Sequence, residues 1–315
     1  MKKVIGALLL LVCLSEAKDI APLFRLHTIG FVTDFVLDGN RIYVANDMGV
    51  VDIFDLGTGK IVDQIVLEPI RSGRGELVPA RITGIDRLNA KTLIVSSGEN
   101  NYRNVWIEEM GRLTQIIDEK KKLVIKEARF VNDERILFGT FDSDVILYNM
   151  TENYEVYHRS NSQSALCDIS LSTDGKKMVT SDESGTVKLF DVESSKVEQE
   201  LSSENVDRVY SVAYRSSVII TGGQDRRVGV YRTGEKPYHL KSDFLVYSVG
   251  LSPSGRMGVY SSGEEQALQL FDTKTKKKMD RLVGHREIVS KIEFIGEHSL
   301  ISSGDGQEIF LWKVD

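Results

Sequence analysis

Cysteine is close to absent from this sequence: Cys13 and Cys167 are the two copies in 315 residues. Cys13 lies in an N-terminal stretch that reads as a removable leader, and its loss leaves Cys167 alone. A lone thiol excludes an intramolecular disulfide and any thiolate cluster for zinc, iron–sulfur or c-type haem, all of which need paired cysteines. Histidine is scarce too. The five copies, His27, His158, His239, His285 and His298, show neither an H-E-x-x-H nor a two-histidine metal spacing. The expectation is a protein with no cofactor and no metal, stabilised by core burial. Five prolines and 26 glycines are too few for a fibrous chain, and 41% hydrophobic residues are too many for a disordered one. An excess of positive charge is also missing: 40 Lys and Arg against 46 Asp and Glu give −6, so no nucleic-acid partner is expected. Long apolar runs are absent with one exception, Val4 to Leu14, whose 11 residues are about half the ~20 that a membrane-spanning helix needs. No membrane span is expected.

That run follows Lys2 and Lys3 and precedes Ser15-Glu16-Ala17, which sets small residues at the −3 and −1 places of a cleavage site before Lys18. Residues 1–17 are therefore expected to be a secretory signal peptide and residues 18–315 the mature chain, with a charge of −7 once two Lys and one Glu have left. Lipidation at Cys13 and retention as a membrane anchor are the competing readings. Against the first, Val12 stands where a lipobox carries Gly, Ala or Ser. A short basic start and a mature chain without disulfides fit a bacterial periplasm.

A chain of 315 residues exceeds the usual single core, which leaves two domains, one large β architecture or an array of repeats. Self-similarity decides. A short alternating strand ending in an aromatic residue recurs as Val51-Asp52-Ile53-Phe54-Asp55, Val105-Trp106, Val145-Ile146-Leu147-Tyr148 and Val187-Lys188-Leu189-Phe190-Asp191. It continues as Val228-Gly229-Val230-Tyr231, Leu268-Gln269-Leu270-Phe271-Asp272 and Ile309-Phe310-Leu311-Trp312, seven copies whose aromatics are 52, 42, 42, 41, 40 and 41 residues apart. A period near 41 is the length of one four-stranded propeller blade. Apolar strands and tight turns such as Thr173-Asp174-Gly175 and Pro253-Ser254-Gly255 precede the aromatic strand, with period two throughout and no helical stretch. The fold class is all-β: a single seven-bladed β-propeller of four-stranded antiparallel blades over residues 18–315.

The last repeat carries a family resemblance. Gly284-His285 opens it, Ser302-Ser303-Gly304-Asp305 supplies strand and turn, and Leu311-Trp312 closes it, with Lys313 where the pattern has Asp. These residues resemble the WD-repeat propeller family over about residues 22–315. The resemblance implies that His285, Ser303, Asp305 and Trp312 form a structural hydrogen-bonded network within the blade. Other repeats keep the turn acid (Asp47, Asp142, Asp182, Asp225) but lack the Gly-His pair. Repeat seven has no sequence left for an outer strand, so Leu23-Phe24-Arg25-Leu26-His27 is expected to complete the last blade and close the ring.

Two regions are candidate contact surfaces. The long first interval contains Glu68 to Pro79, with two of the five prolines and with Arg71 and Arg74; a loop that lengthens one repeat alone is more often functional than neutral. It has no Gly-Lys-Ser/Thr ending and is no phosphate loop. Aligning the inner strands on Phe35, Ile85, Ala128, Ile169, Val212, Val249 and Ile292 places the residues four and two positions earlier around the channel mouth. That ring contains Arg81, Lys126, Arg208, Tyr210, Leu245, Tyr247 and Ile288, and aromatics with arginine are the anchors that protein interfaces favour. The alternative is that these side chains merely plug the channel.

Catalytic patterns are missing: no G-x-S-x-G elbow and no S-x-x-K nucleophile occur, and Cys167 lies on an inner strand, expected to be buried. The repeated turn Asp has a structural role, since Asp caps tight turns. Lys120-Lys121-Lys122 and the run from Lys274 to Lys278 fall in turns between strands. The reading is an exported, monomeric, non-enzymatic scaffold for protein partners. Among exported propellers it resembles the WD-repeat accessory proteins encoded with periplasmic nitrate reductases, which implies that reductase components are the partners. An envelope assembly factor, or a propeller enzyme of the lactonase, hydrolase or quinone-dependent dehydrogenase kind, are the alternatives; the enzyme needs convergent carboxylates or histidines at the mouth, where the ring has none.

Overall fold

A computed structural model describes residues 17–314. The expected signal peptide, Cys13 included, lies outside the described residues apart from Ala17.

The recurrent aromatic strand is the third strand of an antiparallel four-stranded sheet. Each sheet runs inner, second, third, outer, as in blade one: Val32–Asp38, Arg41–Asn46, Val50–Asp55 and Lys60–Val66. The inner strands of blades two to seven are Ile82–Leu88, Ile125–Phe130, Leu166–Leu171, Val209–Arg215, Val249–Leu251 and Val289–Gly296. Two 3-10 turns, Glu99–Asn101 and Glu119–Lys121, are the helical segments among the described residues, and no helix there is long and apolar enough to cross a membrane. The sheets follow from the sequence pattern. Side chains alternate between the two faces of a strand, and the apolar ones meet those of the neighbouring blade. The Leu93, Val105, Ile125 and Phe138 cluster thus joins blades two and three, and the Val259, Leu270, Ile292 and Trp312 cluster joins blades six and seven. The turns are those expected: Gly175 and Gly255 sit at φ +68° and +70°, a backbone region that favours glycine, and a Cβ on Gly175 would meet the Val131 carbonyl oxygen at 2.7 Å.

Closure is as expected at blade seven and goes further at blade six. Phe24–His27 pairs antiparallel with Glu308–Lys313, Phe24 opposite Leu311 and His27 opposite Glu308, and Leu26 is buried against Ile309 and Leu311. The preceding Asp19–Ile20 adds to the outer strand of blade six, Lys278–Leu282, as a parallel fifth strand. One blade therefore has five strands, not four. This fifth strand could not be read from sequence alone, because a two-residue strand shows no periodicity. The N-terminal segment thus straps two blades together.

Candidate functional site

The channel mouth is built by a device repeated around the ring. In blades one, two, three, four, five and seven the pairing of the inner strand with its neighbour skips one residue: Thr33, Thr83, Lys126, Cys167, Tyr210 and Ser290. A skipped residue is a β-bulge, which leaves the ladder and redirects its side chain. These are the residues two places before the aligned apolar positions. Two residues further back, a second regular bond fixes the rim. The backbone N–H at or just past the end of the second strand donates to the carbonyl of Phe31, Arg81, Val124, Ala165, Arg208 or Ile288 at 2.8–3.1 Å. Blade six differs: the Ser261 hydroxyl accepts the N–H groups of Tyr247 and Ser248 at 2.9 and 3.2 Å.

The structure brings Arg208, Tyr210 and Tyr247 of the expected mouth residues into contact. The rings of Tyr210 and Tyr247 lie 5.1 Å apart, with Phe244 6.4 Å from Tyr247. Arg208 lies over the Tyr210 ring at 5.6 Å and pairs with Glu183, while the Tyr210 hydroxyl donates to Gln224 at 2.8 Å. Leu245 is half-buried beside them and Ile288 is exposed on the next blade. Lys126 donates to the Leu166 carbonyl at 3.0 Å and lies 5.3 Å from the Phe141 ring. Arg81 is exposed. Arg103, which the alignment of inner strands could not reach because it opens a third strand, approaches the same Phe141 at 6.0 Å. Cys167 is buried as expected; burial pushes its thiol up, against the pull of Arg208 and Lys126. The insertion folds as a hairpin, Ile70–Arg71 against Leu77–Val78. Arg71 donates to the Gly75 carbonyl of the same hairpin at 3.0 Å, and both Arg71 and Arg74 are exposed.

Below the mouth the channel is charged, which the sequence reading missed. A cavity of about 560 Å³ is lined by Asp34, Asp86, Glu127, Asp168 and Glu293 with Arg129 and Lys291. Carboxylates do converge here, one step inside the rim where none was expected. Most of them have a structural role. Residues flanking the aligned apolar position reach the inner strand of the next blade. Asp34 accepts from the Ile85 N–H at 3.0 Å, Asp86 from Phe130 at 2.6 Å and Asp168 from Val212 at 2.9 Å. Across the closing junction, Lys291 of blade seven donates to Asp34 and to the Phe35 carbonyl, both at 2.6 Å. Burial works against the charge on Asp34, but Lys291, Arg129 and the backbone donors outweigh it and hold the carboxyl below its ordinary value. Glu127 instead pairs with Arg129 at 2.8 Å. Burial, opposed by Arg129 and reinforced by Asp168 and Asp34, pushes it up to about 7. The signal that could have found this group is the polar column beside the apolar one: Asp34, Glu127, Asp168, Ser211 and Lys291. Among the described residues no cluster of His, Cys, Asp or Glu is arranged to hold a metal ion.

The network in blade seven is real but its members change. Ser302, not Ser303, carries the hydroxyl: His285 Nε2 lies 2.6 Å from Ser302 Oγ, and Trp312 Nε1 donates to the same oxygen at 2.7 Å. Ser303 is the next residue on the strand and therefore faces away. Asp305 is exposed, and its backbone N–H, at 3.1 Å from the Ile288 carbonyl, ties it to the rim instead of to His285. Burial, with Arg25 nearby, lowers His285 to about 4, so the ring is neutral at pH 7. Other blades use asparagine at the histidine's place: Asn205 accepts from Thr221 at 2.5 Å, and Asn161 donates to Thr180 at 3.1 Å. Ser302→Ala leaves two buried groups without their shared partner and is expected to cost about 1–3 kcal/mol. Urea unfolding measures this, and a midpoint equal to wild type would show that the bonds contribute nothing.

A family model described as "WD domain, G-beta repeat" matches residues 154–191, the outer strand of blade three with the first three strands of blade four. The chain is 18% identical over 231 residues to the "WD repeat-containing protein 26 homolog" of Arabidopsis thaliana, a match that covers 70% of this chain and 39% of that relative. With one repeat matched by the family model and seven four-stranded blades closed into a ring, the fold is a seven-bladed β-propeller similar to those of WD-repeat proteins.

Proposed function

We propose that this protein is a scaffold that holds a partner protein at its channel mouth. The supporting observation is where large apolar side chains stay exposed. The turns between second and third strands and the crossovers into inner strands all lie at one end of the ring. In its turns and crossovers that end exposes Ile29, Phe31, Met48, Leu77, Phe141, Val206 and Ile288, each at least 38% accessible, whereas the turns at the other end expose Met110 and Ile295; the remaining exposed ones, such as Phe24, Val62, Tyr154 and Val197, lie along the outer strands at the blade edges. Exposed apolar groups gathered on one face mark interaction sites, and the Tyr210–Tyr247 pair beside Arg208 supplies rigid anchors. WD-repeat propellers generally serve as non-catalytic scaffolds, and backbone bonds give Asp34, Asp86 and Asp168, three of the five channel carboxylates, a structural role.

The finer reading is that the scaffold works in the periplasm and that its client is a component of periplasmic nitrate reductase. The basic-then-apolar N-terminus and the Ser15-Glu16-Ala17 site support export. Arg208→Glu combined with Tyr210→Ala is expected to abolish recovery of reductase subunits from periplasmic extract while leaving thermal unfolding nearly unchanged. Recovery of outer-membrane assembly components in their place would move the client to envelope assembly. Undiminished recovery by the double variant would rule out the mouth as the contact surface.

A further inference from the structure

Within the mouth, blades two and three differ from the rest. Arg208 on blade five has Glu183 as partner, but among the described residues Arg81, Arg103 and Lys126 have no carboxylate within 4.0 Å. The three are close. Ser97 lies opposite Arg103 in the ladder and donates its N–H to the Arg81 carbonyl at 2.8 Å. Burial and the neighbouring Arg81 charge both pull Arg103 below the ordinary guanidinium value, so like charges face each other without compensation. Between Arg103 and Lys126 stands Phe141, 42% exposed, with the two cations 6.0 and 5.3 Å from its ring. Arg103 also donates its backbone N–H at 2.9 Å to the carbonyl of Leu123, which follows the exposed Lys120–Lys122 run directly. Of the acidic residues nearby in the chain, Glu127 follows Lys126 but pairs with Arg129, Asp142 follows Phe141 and is exposed, and Glu99 and Glu119 lie in the two 3-10 turns.

Resting on the reading of the mouth as a contact face, we propose that this sector binds an acidic segment of the partner protein, in which carboxylates flank an apolar side chain. The carboxylates meet Arg81, Arg103 and Lys126, whose uncompensated charges favour an anion, and the apolar side chain covers Phe141. Arginine forks match carboxylates bidentately. A nucleic acid or other extended polyanion fits less well: the whole chain carries −6, and an exposed phenylalanine between the cations calls for an apolar contact.

The test uses the mature chain on an array of 12-residue peptides that vary in acidic count and in the presence of one Leu or Phe. Retained peptides are expected to be enriched in Asp and Glu around an apolar residue. Measured in solution by fluorescence anisotropy, the best of them is expected to bind roughly tenfold more weakly to Arg81→Glu and to Phe141→Ala, to regain most of its affinity with Arg81→Lys, and to weaken as salt rises. Arg81 and Phe141 are exposed, so thermal unfolding of both variants checks that the fold is kept. Peptides retained without acidic enrichment, and lost in Arg208→Glu/Tyr210→Ala but not in Arg81→Glu, would overturn this inference and leave the mouth reading standing. Acidic peptides bound equally by Arg81→Glu and wild type would overturn it too, as would binding to phosphatidylglycerol vesicles with no peptide retained. A mouth that binds peptides nowhere and recovers no client sinks both readings.

Discussion

Asp34→Ala is expected to lower the unfolding free energy by about 3 kcal/mol, at the lower end of what breaking a buried ion pair costs, and the melting temperature by about 5 °C. The carboxylate joins three blades. It accepts from Ile85 of blade two, receives Lys291 of blade seven at 2.6 Å and faces Arg129 of blade three at 3.9 Å. Its removal leaves the Lys291 ammonium beside the Phe35 carbonyl, with Glu293 3.9 Å away as its remaining carboxylate. The lower end applies because the Lys291 side chain keeps 26% of its surface accessible. The pH dependence has a definite sign. A carboxyl held below its ordinary 3.8 contributes fully above that value and loses its contribution as pH falls through its folded value. The gap between wild type and Asp34→Asn in urea melts should therefore be constant from pH 5 to 7 and close only in strong acid. Replacing Lys291 by Met in the Asp34→Ala background should recover part of the loss. A gap that instead opened on acidification would assign the stabilisation to another group.

Deleting residues 18–28 should destabilise the ring by the order of 5 kcal/mol, from the burial of Leu26 and Ile20 and the strand bonds they bring. It should also make the protein self-associate. Without Phe24–His27, the strand Glu308–Lys313 becomes a free edge, and an unpaired apolar edge recruits other strands. Light scattering of the eluting protein should show dimers or larger species, and a peptide of residues 18–28 supplied in excess should restore the monomer by adding the missing strand. A truncated chain that stayed monomeric and melted with wild type would show that the strap is dispensable. The partners are far apart in sequence, Phe24 opposite Leu311, so this pairing is among the costliest contacts in loop entropy and should form late in folding.

Most of the ring was legible because blades repeat. The aromatic of the third strand, from Phe54 to Trp312, recurs with an interval that permits one blade size, and the strand Leu23 to His27 had no other place to go. The strap at Asp19–Ile20 was not legible, since two residues have no period and a parallel edge has no turn to announce it. The mouth was legible where the inner strand alone builds it, as at Lys126, Arg208, Tyr210 and Tyr247. It was not where another strand contributes, as with Arg103 and Phe141. The channel charges were not legible from positions two and four before the apolar column, because Asp34, Glu127, Asp168 and Lys291 stand immediately beside it. Ser302 and Ser303 show the same limit at its smallest: a motif tolerates a shift of one residue, whereas a pleated strand turns that shift into the opposite face.

The bulges separate two demands that usually compete. Thr33, Thr83, Lys126, Cys167, Tyr210 and Ser290 stand outside the ladder register, so the strands that hold the ring do not depend on which side chain each presents. The six positions behave like letters in a frame. A different set could be written into them to receive a different partner while the seven sheets beneath stay as they are.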